Sequence, residues 1–187
     1  MLDCISVENM RRSDAETIAK FVPSLELMHR AAMGVFRAVE WQRRIAIVVG
    51  SGNNGGDGFV VARKFHEQGI EVRILFVEGE PVTQDAAANY ELIKDTIRFF
   101  TPEEDYLDGD EDIIVDAIYG TGFRGTLRET AEDVITACNE SAIYTAALDL
   151  PSGLTGDMSF CEQMRASVRA SLTVAFHAKK PVHRNKN

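Results

Sequence analysis

Three short segments hold the residues that could do chemistry: Asn53-Asn54-Gly55-Gly56-Asp57, Asp116 with the loop Gly120-Thr121-Gly122-Phe123-Arg124-Gly125-Thr126, and Asp149 with Ser152. In the first, Gly50, Gly52 and Gly55 match G-x-G-x-x-G, and Glu78 follows at the distance expected of a ribose-binding acid. That pattern alone would suit a nicotinamide-dependent dehydrogenase. The interior of the loop argues otherwise, because an acid beside a pyrophosphate costs Coulomb energy unless a cation or sugar hydroxyl intervenes. Two amides and a carboxylate therefore read as a loop that accepts hydroxyl or cation partners as well as phosphate. The blander reading is a polar turn that merely caps a helix. Four glycines between positions 52 and 58 exceed what capping requires. A P-loop is excluded, since no Gly-Lys-Ser/Thr follows.

Asp116 lies inside the apolar run Ile113–Ile118, where a carboxylate needs a cation or a hydrogen-bond donor. The loop after it offers hydroxyls, backbone donors and Arg124, so it could close over phosphates. It could also be a plain strand-to-helix turn. In Asp149-Leu150-Pro151-Ser152-Gly153, the proline and glycine could aim Asp149 and Ser152 at the same mouth. Ser152 is not in G-x-S-x-G and has no histidine placed to activate it, which argues against a serine hydrolase. His29, His66, His177 and His183 are scattered without zinc spacing, and His66 reads as a helix-surface residue.

The elements that must carry these segments alternate. Ser6 is a possible cap for an amphipathic helix through Met10, Ile18 and Phe21, and Ser24 for a second through Leu27, Met28, Ala31, Val35 and Val39. Apolar runs at 44–50, 72–77, 113–118, 143–148 and 171–176 read as buried strands. Helical segments at 58–68, 83–97 and 129–139 separate the earlier ones. This alternation predicts right-handed βαβ crossovers and a mostly parallel sheet covered on both faces. In such a sheet, ligands bind beyond the carboxyl ends of the strands, where all three segments sit. The acidic stretch Glu103–Asp112 reads as a solvated connection rather than a metal loop.

The 187 residues fit one domain, and a 45% apolar, 26% charged composition is that of a globular chain. A net charge of −9 repels a phosphate backbone and argues against nucleic-acid binding. The only dense basic block is the tail Lys179, Lys180, Arg184 and Lys186. No apolar run reaches the roughly 20 residues of a membrane span, and the first twelve residues resemble no targeting signal. Cys4, Cys138 and Cys161, without CxxC, read as reduced structural thiols in a cytoplasmic protein.

Gly-Ser-Gly-Asn-Asn-Gly-Gly-Asp-Gly (50–58), Asp-Ala-Ile-Tyr-Gly-Thr-Gly-Phe (116–123) and Asp-Leu-Pro-Ser-Gly (149–153), in that order, closely resemble the NAD(P)H-hydrate epimerase family, the YjeF N-terminal domain. Met10–Asp14 and Leu27-Met28 also look like that family's opening helices. The resemblance implies a Rossmann-like three-layer α/β/α sandwich with two N-terminal helices, spanning residues 1–187. It implies epimerisation at C6 of hydrated NADH and NADPH (NADHX and NADPHX), interconverting R and S forms for cofactor repair. Asn53, Asn54, Gly55, Gly56, Asp57, Gly120, Thr121, Gly122, Phe123, Arg124, Gly125, Thr126 and Asp149 would bind the hydrate. Asn54, Asp116 and Ser152 would hold a potassium ion. Asp149 is the candidate for acid–base work and for steadying a cationic intermediate.

The partner reaction would belong to a separate ADP- or ATP-dependent dehydratase, and a homodimer is possible. A noncatalytic nucleotide-binding or scaffold module of the same fold is the alternative. His29 and Ala32 stand where the family usually has Glu and Gly, which points to an altered mouth or subunit contact. The family also continues past its Phe-x-x-x-Lys segment, matched here by Phe176–Lys180, so its closing strand is expected to be missing.

Overall fold

The computed structural model describes residues 4–38, 44–104, 107, 109–158 and 166–184. The expectations placed on Val39, Cys161 and Lys186 fall outside these residues. Six parallel strands form one sheet: β1 (Arg44–Val49), β2 (Glu71–Phe76), β3 (Arg98–Phe100), β4 (Ile113–Ala117), β5 (Tyr144–Leu148) and β6 (Leu172–Val174). Their order is β3-β2-β1-β4-β5-β6, so the chain reverses its direction of travel between β1 and β4. That reversal opens a crevice at the carboxyl ends of the two central strands.

Side-chain alternation along the strands sorts the core into two layers. Ile45, Ile47, Val49, Val115 and Ala117 pack with α2 (Ser24–Ala38), α3 (Asn53–His66) and α4 (Gln84–Glu91). Ala46, Val48, Ile114 and Ile118 pack with Ala131, Val134, Ile135 and Cys138 of α5 (Glu129–Glu140) on the other face. The result is the three-layer α/β/α arrangement expected. Helix α1 (Val7–Lys20), capped by the Ser6 hydroxyl, joins the 157 turn and the chain's last segment. Val7 N donates to Asp157 and Ile5 N to the Lys179 carbonyl. None of the described helices is long and apolar enough to cross a membrane.

Several boundaries differ from those read in the sequence. Helix α3 begins at Asn53 rather than Gly58, so the glycine run is the first turns of a helix. Glycine costs a helix about 1 kcal/mol relative to alanine, and close packing overrides that cost. A side chain at Gly55 would collide with the Gly50 carbonyl oxygen, and one at Gly58 would stand 2.8 Å from the Ala117 methyl. Ser24 opens α2 but does not cap it; its hydroxyl donates to Asp85 at 3.0 Å. The helix expected over 83–97 stops at Glu91, and β3 adds an unforeseen edge strand whose Phe99 stacks on Phe76. Within the acidic stretch Glu111 is buried with Arg73 close by at 3.6 Å, so that part is not a solvated connection. Ala32 is a core residue of α2, buried with Met28 and Val35.

Candidate functional site

Two buried carboxylates stand at neighbouring strand ends, since Asp116 of β4 pairs in register with Ala147 of β5, two residues before Asp149. Asp116 is wholly buried. Its Oδ2 accepts Ser152 N at 2.7 Å, and its Oδ1 accepts Ser152 Oγ at 2.5 Å and Ile118 N at 3.2 Å. The same Ser152 oxygen accepts Tyr119 N at 2.8 Å. Burial pushes the Asp116 carboxyl up to about 6, against the pull of the Ser152 and Ile118 donors. Those donors are neutral, so the negative charge is solvated by dipoles alone.

Asp149 is built differently. It follows β5 with φ of 62°, in the left-handed region, which swings the carboxylate out of the strand's pleat. Such a conformation costs on the order of 1–3 kcal/mol in general, and Asp is among the residues that tolerate it. Oδ2 accepts Thr121 N at 3.2 Å; Oδ1 accepts Phe176 N at 3.3 Å and the Lys180 ammonium. Lys180, itself wholly buried, also donates to the Phe176 carbonyl at 2.7 Å. Three donors, one of them charged, thus hold the Asp149 carboxylate.

Asn54 and Asp57 come to this carboxylate from the first turns of α3. A methyl group at Gly120 would lie 3.0 Å from Asn54 Oδ1 and 3.2 Å from Asp149 Oδ2, so both flank that glycine. The Asn54 Nδ2 is buried without a hydrogen-bond partner. Orphaned donors of this kind call for a ligand or water. Asp57 is buried, and burial first, then the charge of Asp149, raises its pKa well above the usual carboxylate range. Asn53, ahead of them, is exposed.

The loop 120–126 is pinned on its inner side. Thr121 is held by Asp149 and by Arg11 of α1, whose guanidinium donates to the Thr121 carbonyl at 2.6 Å. Phe123 is buried and stacks on Tyr119 at 4.9 Å. Gly122, Arg124 and Thr126 remain exposed, and Gly125 takes a φ of 83°. Arg124 faces solvent rather than Asp116.

Asp116 and Ser152 thus touch, while Asn54 and Asp149 both flank Gly120. The donor set of carboxylate, hydroxyl and amide oxygens is that of a hard cation. The charge of Asp116, met only by neutral donors, fits the same expectation. The space a side chain at Gly55 would need is taken by the Gly50 carbonyl.

The sequence alone does not single out Lys180, His183 or Arg11. Lys180 reads there as part of a basic tail, although Phe176–Lys180 is also a Phe-x-x-x-Lys segment. Arg11 and His183 carry no local signal, because their contacts are with residues distant in sequence.

The parallel sheet with a ligand crevice at β1 and β4 defines an α/β protein with its site at the strand ends. Residues 24–182 match the model of the YjeF-related protein N-terminus, and the chain belongs to that family. It is 36% identical to the NAD(P)H-hydrate epimerase of Limosilactobacillus reuteri over 92% of this chain and 83% of that protein. It is 33% identical to the protein of the same name from Roseobacter litoralis, over 99% and 93%. The bifunctional NAD(P)H-hydrate repair enzyme Nnr of Archaeoglobus fulgidus is 37% identical over 96% of this chain, which spans 38% of that longer protein. The crystal structure of yeast ynu0 superposes with a TM-score of 0.83 at 22% identity, covering 97% of this chain and 83% of that one.

Proposed function

We propose that this chain epimerises the C6 hydroxyl of hydrated NADH and NADPH, interconverting the R and S forms for cofactor repair. One observation carries the reading: an Asp149 carboxylate clamped by Lys180 stands near a buried Asp57 whose surroundings favour its acid form. A carboxyl group held in its acid form can serve as the proton donor. The names of the Limosilactobacillus and Roseobacter relatives support the same substrate.

In the reaction, the ring nitrogen's lone pair forms an iminium as the C6–O bond breaks. Asp57 gives its proton to the departing hydroxide, leaving water and a carboxylate. Water then adds to C6 from either face and returns its proton to Asp57. Asp149, paired with Lys180 and held by two backbone amides, would stand beside the cation and steady it. The sequence suggests Asp149 for both roles; the raised pKa of the buried Asp57 assigns proton carriage to Asp57 in this reading. Asn53–Asp57 and Gly120–Thr126 would hold the hydrate, with the Asn54 amide offering its unpaired donor to it. Asn54, Asp116 and Ser152 would hold potassium, which when bound would supply positive charge beside Asp116. The product would pass to a separate ADP- or ATP-dependent dehydratase, in the cytoplasm.

The test mixes the purified protein with one hydrate epimer and follows the other by chromatography or NMR. Exchange above the spontaneous rate is expected, without nucleotide triphosphate and without NADH formation. Binding without exchange would favour the noncatalytic module instead.

A further inference from the structure

His183 sits in the short 3₁₀ turn Pro181–Arg184, after Lys180. Its ring touches the main chain of both members of the Asp149–Lys180 pair. Nδ1 lies 2.9 Å from Lys180 N, and Nε2 lies 2.9 Å from the Asp149 carbonyl oxygen. A backbone N–H can only donate, so Nδ1 accepts and carries no proton. The carbonyl can only accept, so Nε2 carries the hydrogen and donates. The contacts thus fix a neutral ring and a single tautomer.

The two contacts tie together segments separated by 34 positions in sequence. One holds the carbonyl of the residue whose backbone is left-handed. The other holds the amide of the residue whose ammonium grips the Asp149 carboxylate. No other side chain among the described contacts reaches the backbones of both residues. We propose that His183 is a positioning residue for the epimerisation: its neutral ring clamps the main chains of Asp149 and Lys180 and thereby aims the carboxylate. The inference rests on the proposed epimerase activity for its kinetic half; the clamp itself is a claim about the protein alone.

Protonation would break the clamp, because a second N–H at Nδ1 would face the Lys180 N–H. The charged groups around the ring are Asp149, Lys180 and Lys179, and Arg169 lines the same cavity. Burial lowers the His183 pKa, reinforced by the Lys180 and Lys179 charges and opposed by Asp149. A histidine whose folded pKa lies below its unfolded value contributes stability that is complete above the unfolded value, near 6.5. That contribution is lost as pH falls below it. The clamp is therefore closed at neutral pH and opens on acidification.

The experiment has two arms. Long-range ¹H–¹⁵N spectra of the wild-type protein should show His183 protonated at Nε2 only. The Lys180 amide signal should move with the His183 titration, but stay put in His183→Gln. A ring protonated at Nδ1 near neutrality, or a Lys180 amide indifferent to the titration, overturns the clamp without reference to activity. In the kinetic arm, His183→Ala should lower kcat by tenfold up to about a hundredfold, the loss that a misplacement of about 1 Å can bring. KM should change far less. His183→Asn restores an acceptor and His183→Gln a donor, so each should recover part of the loss. Neither can be protonated, so both should lack the His183-dependent part of the wild-type acid limb. A fall in melting temperature with unchanged kcat, or an acid limb identical in all four proteins, would show a merely structural histidine. A wild-type protein without epimerase activity sinks the functional reading and leaves the spectroscopic arm standing.

Discussion

Asp116 and Asp149 are both buried acids at the carboxyl ends of adjacent strands, yet they meet opposite electrostatic conditions. Asp116 has three bonds from neutral donors and no cationic side chain among them. Asp149 has an ammonium as well as two amides. Burial alone makes a carboxylate prefer its proton, and dipoles only partly offset this, as the pKa of about 6 for Asp116 shows. The difference teaches that the protein completes one carboxylate internally and leaves the other a charge that an added cation could complete.

Breaking the compensated pair should have the largest effect. Lys180→Met leaves Asp149 buried without its counter-charge, a change that costs about 3–5 kcal/mol in stability. Urea unfolding would show it as a lower midpoint with an unchanged slope. Pairing it with Asp149→Leu should recover part of the loss; an equal or greater loss would mean the two side chains are not coupled.

Next comes Asp149→Asn, which removes the negative charge beside the iminium. Turnover should fall by a factor on the order of 10², while hydrate affinity changes much less. Single-turnover rates and direct titration separate the two, with circular dichroism as the check on folding. Wild-type turnover in this variant would remove Asp149 from the chemistry.

Ser152→Ala attacks the uncompensated site. It takes one of three donors from Asp116 and leaves Tyr119 N without its acceptor, and one unsatisfied buried group costs about 1–3 kcal/mol. Thermal unfolding should register the loss, and it should be smaller than that of Lys180→Met. The reverse order would contradict the contrast drawn between the two sites.

The smallest effect is that of the ion. Potassium at tenfold above its dissociation constant should stabilise the wild-type protein by about 1.4 kcal/mol. Asp116→Asn and Ser152→Ala should lose this increment, whereas Lys180→Met should keep it. A rise in melting temperature common to every variant would mark a general salt effect. In a crystal with a heavier congener, anomalous density should fall among Asn54, Asp116 and Ser152.

The local chemistry of the chain determined the alternation of strands and helices, and with it the parallel sheet. Apolar runs such as Ile113–Ile118 can be satisfied only by burial on both faces, so their place at the centre is dictated by composition. The three motifs at the strand ends follow from the same logic, and Asp116 was legible because a carboxylate in such a run needs a partner. Which partner it has was not legible: the Ser152 backbone and hydroxyl reach it from 36 positions away, through the turn after the neighbouring strand. The beginning of α3 was hidden because glycine's low propensity reads as loop, while packing against Gly50 and Ala117 rewards its missing side chain. Lys180 looked like a solvated tail charge because net charge and spacing carry no information on burial. Only the tertiary structure brought it beneath Asp149, with His183 folded back on both, because a strong ion pair and a clamp depend on distances across the fold rather than along the chain.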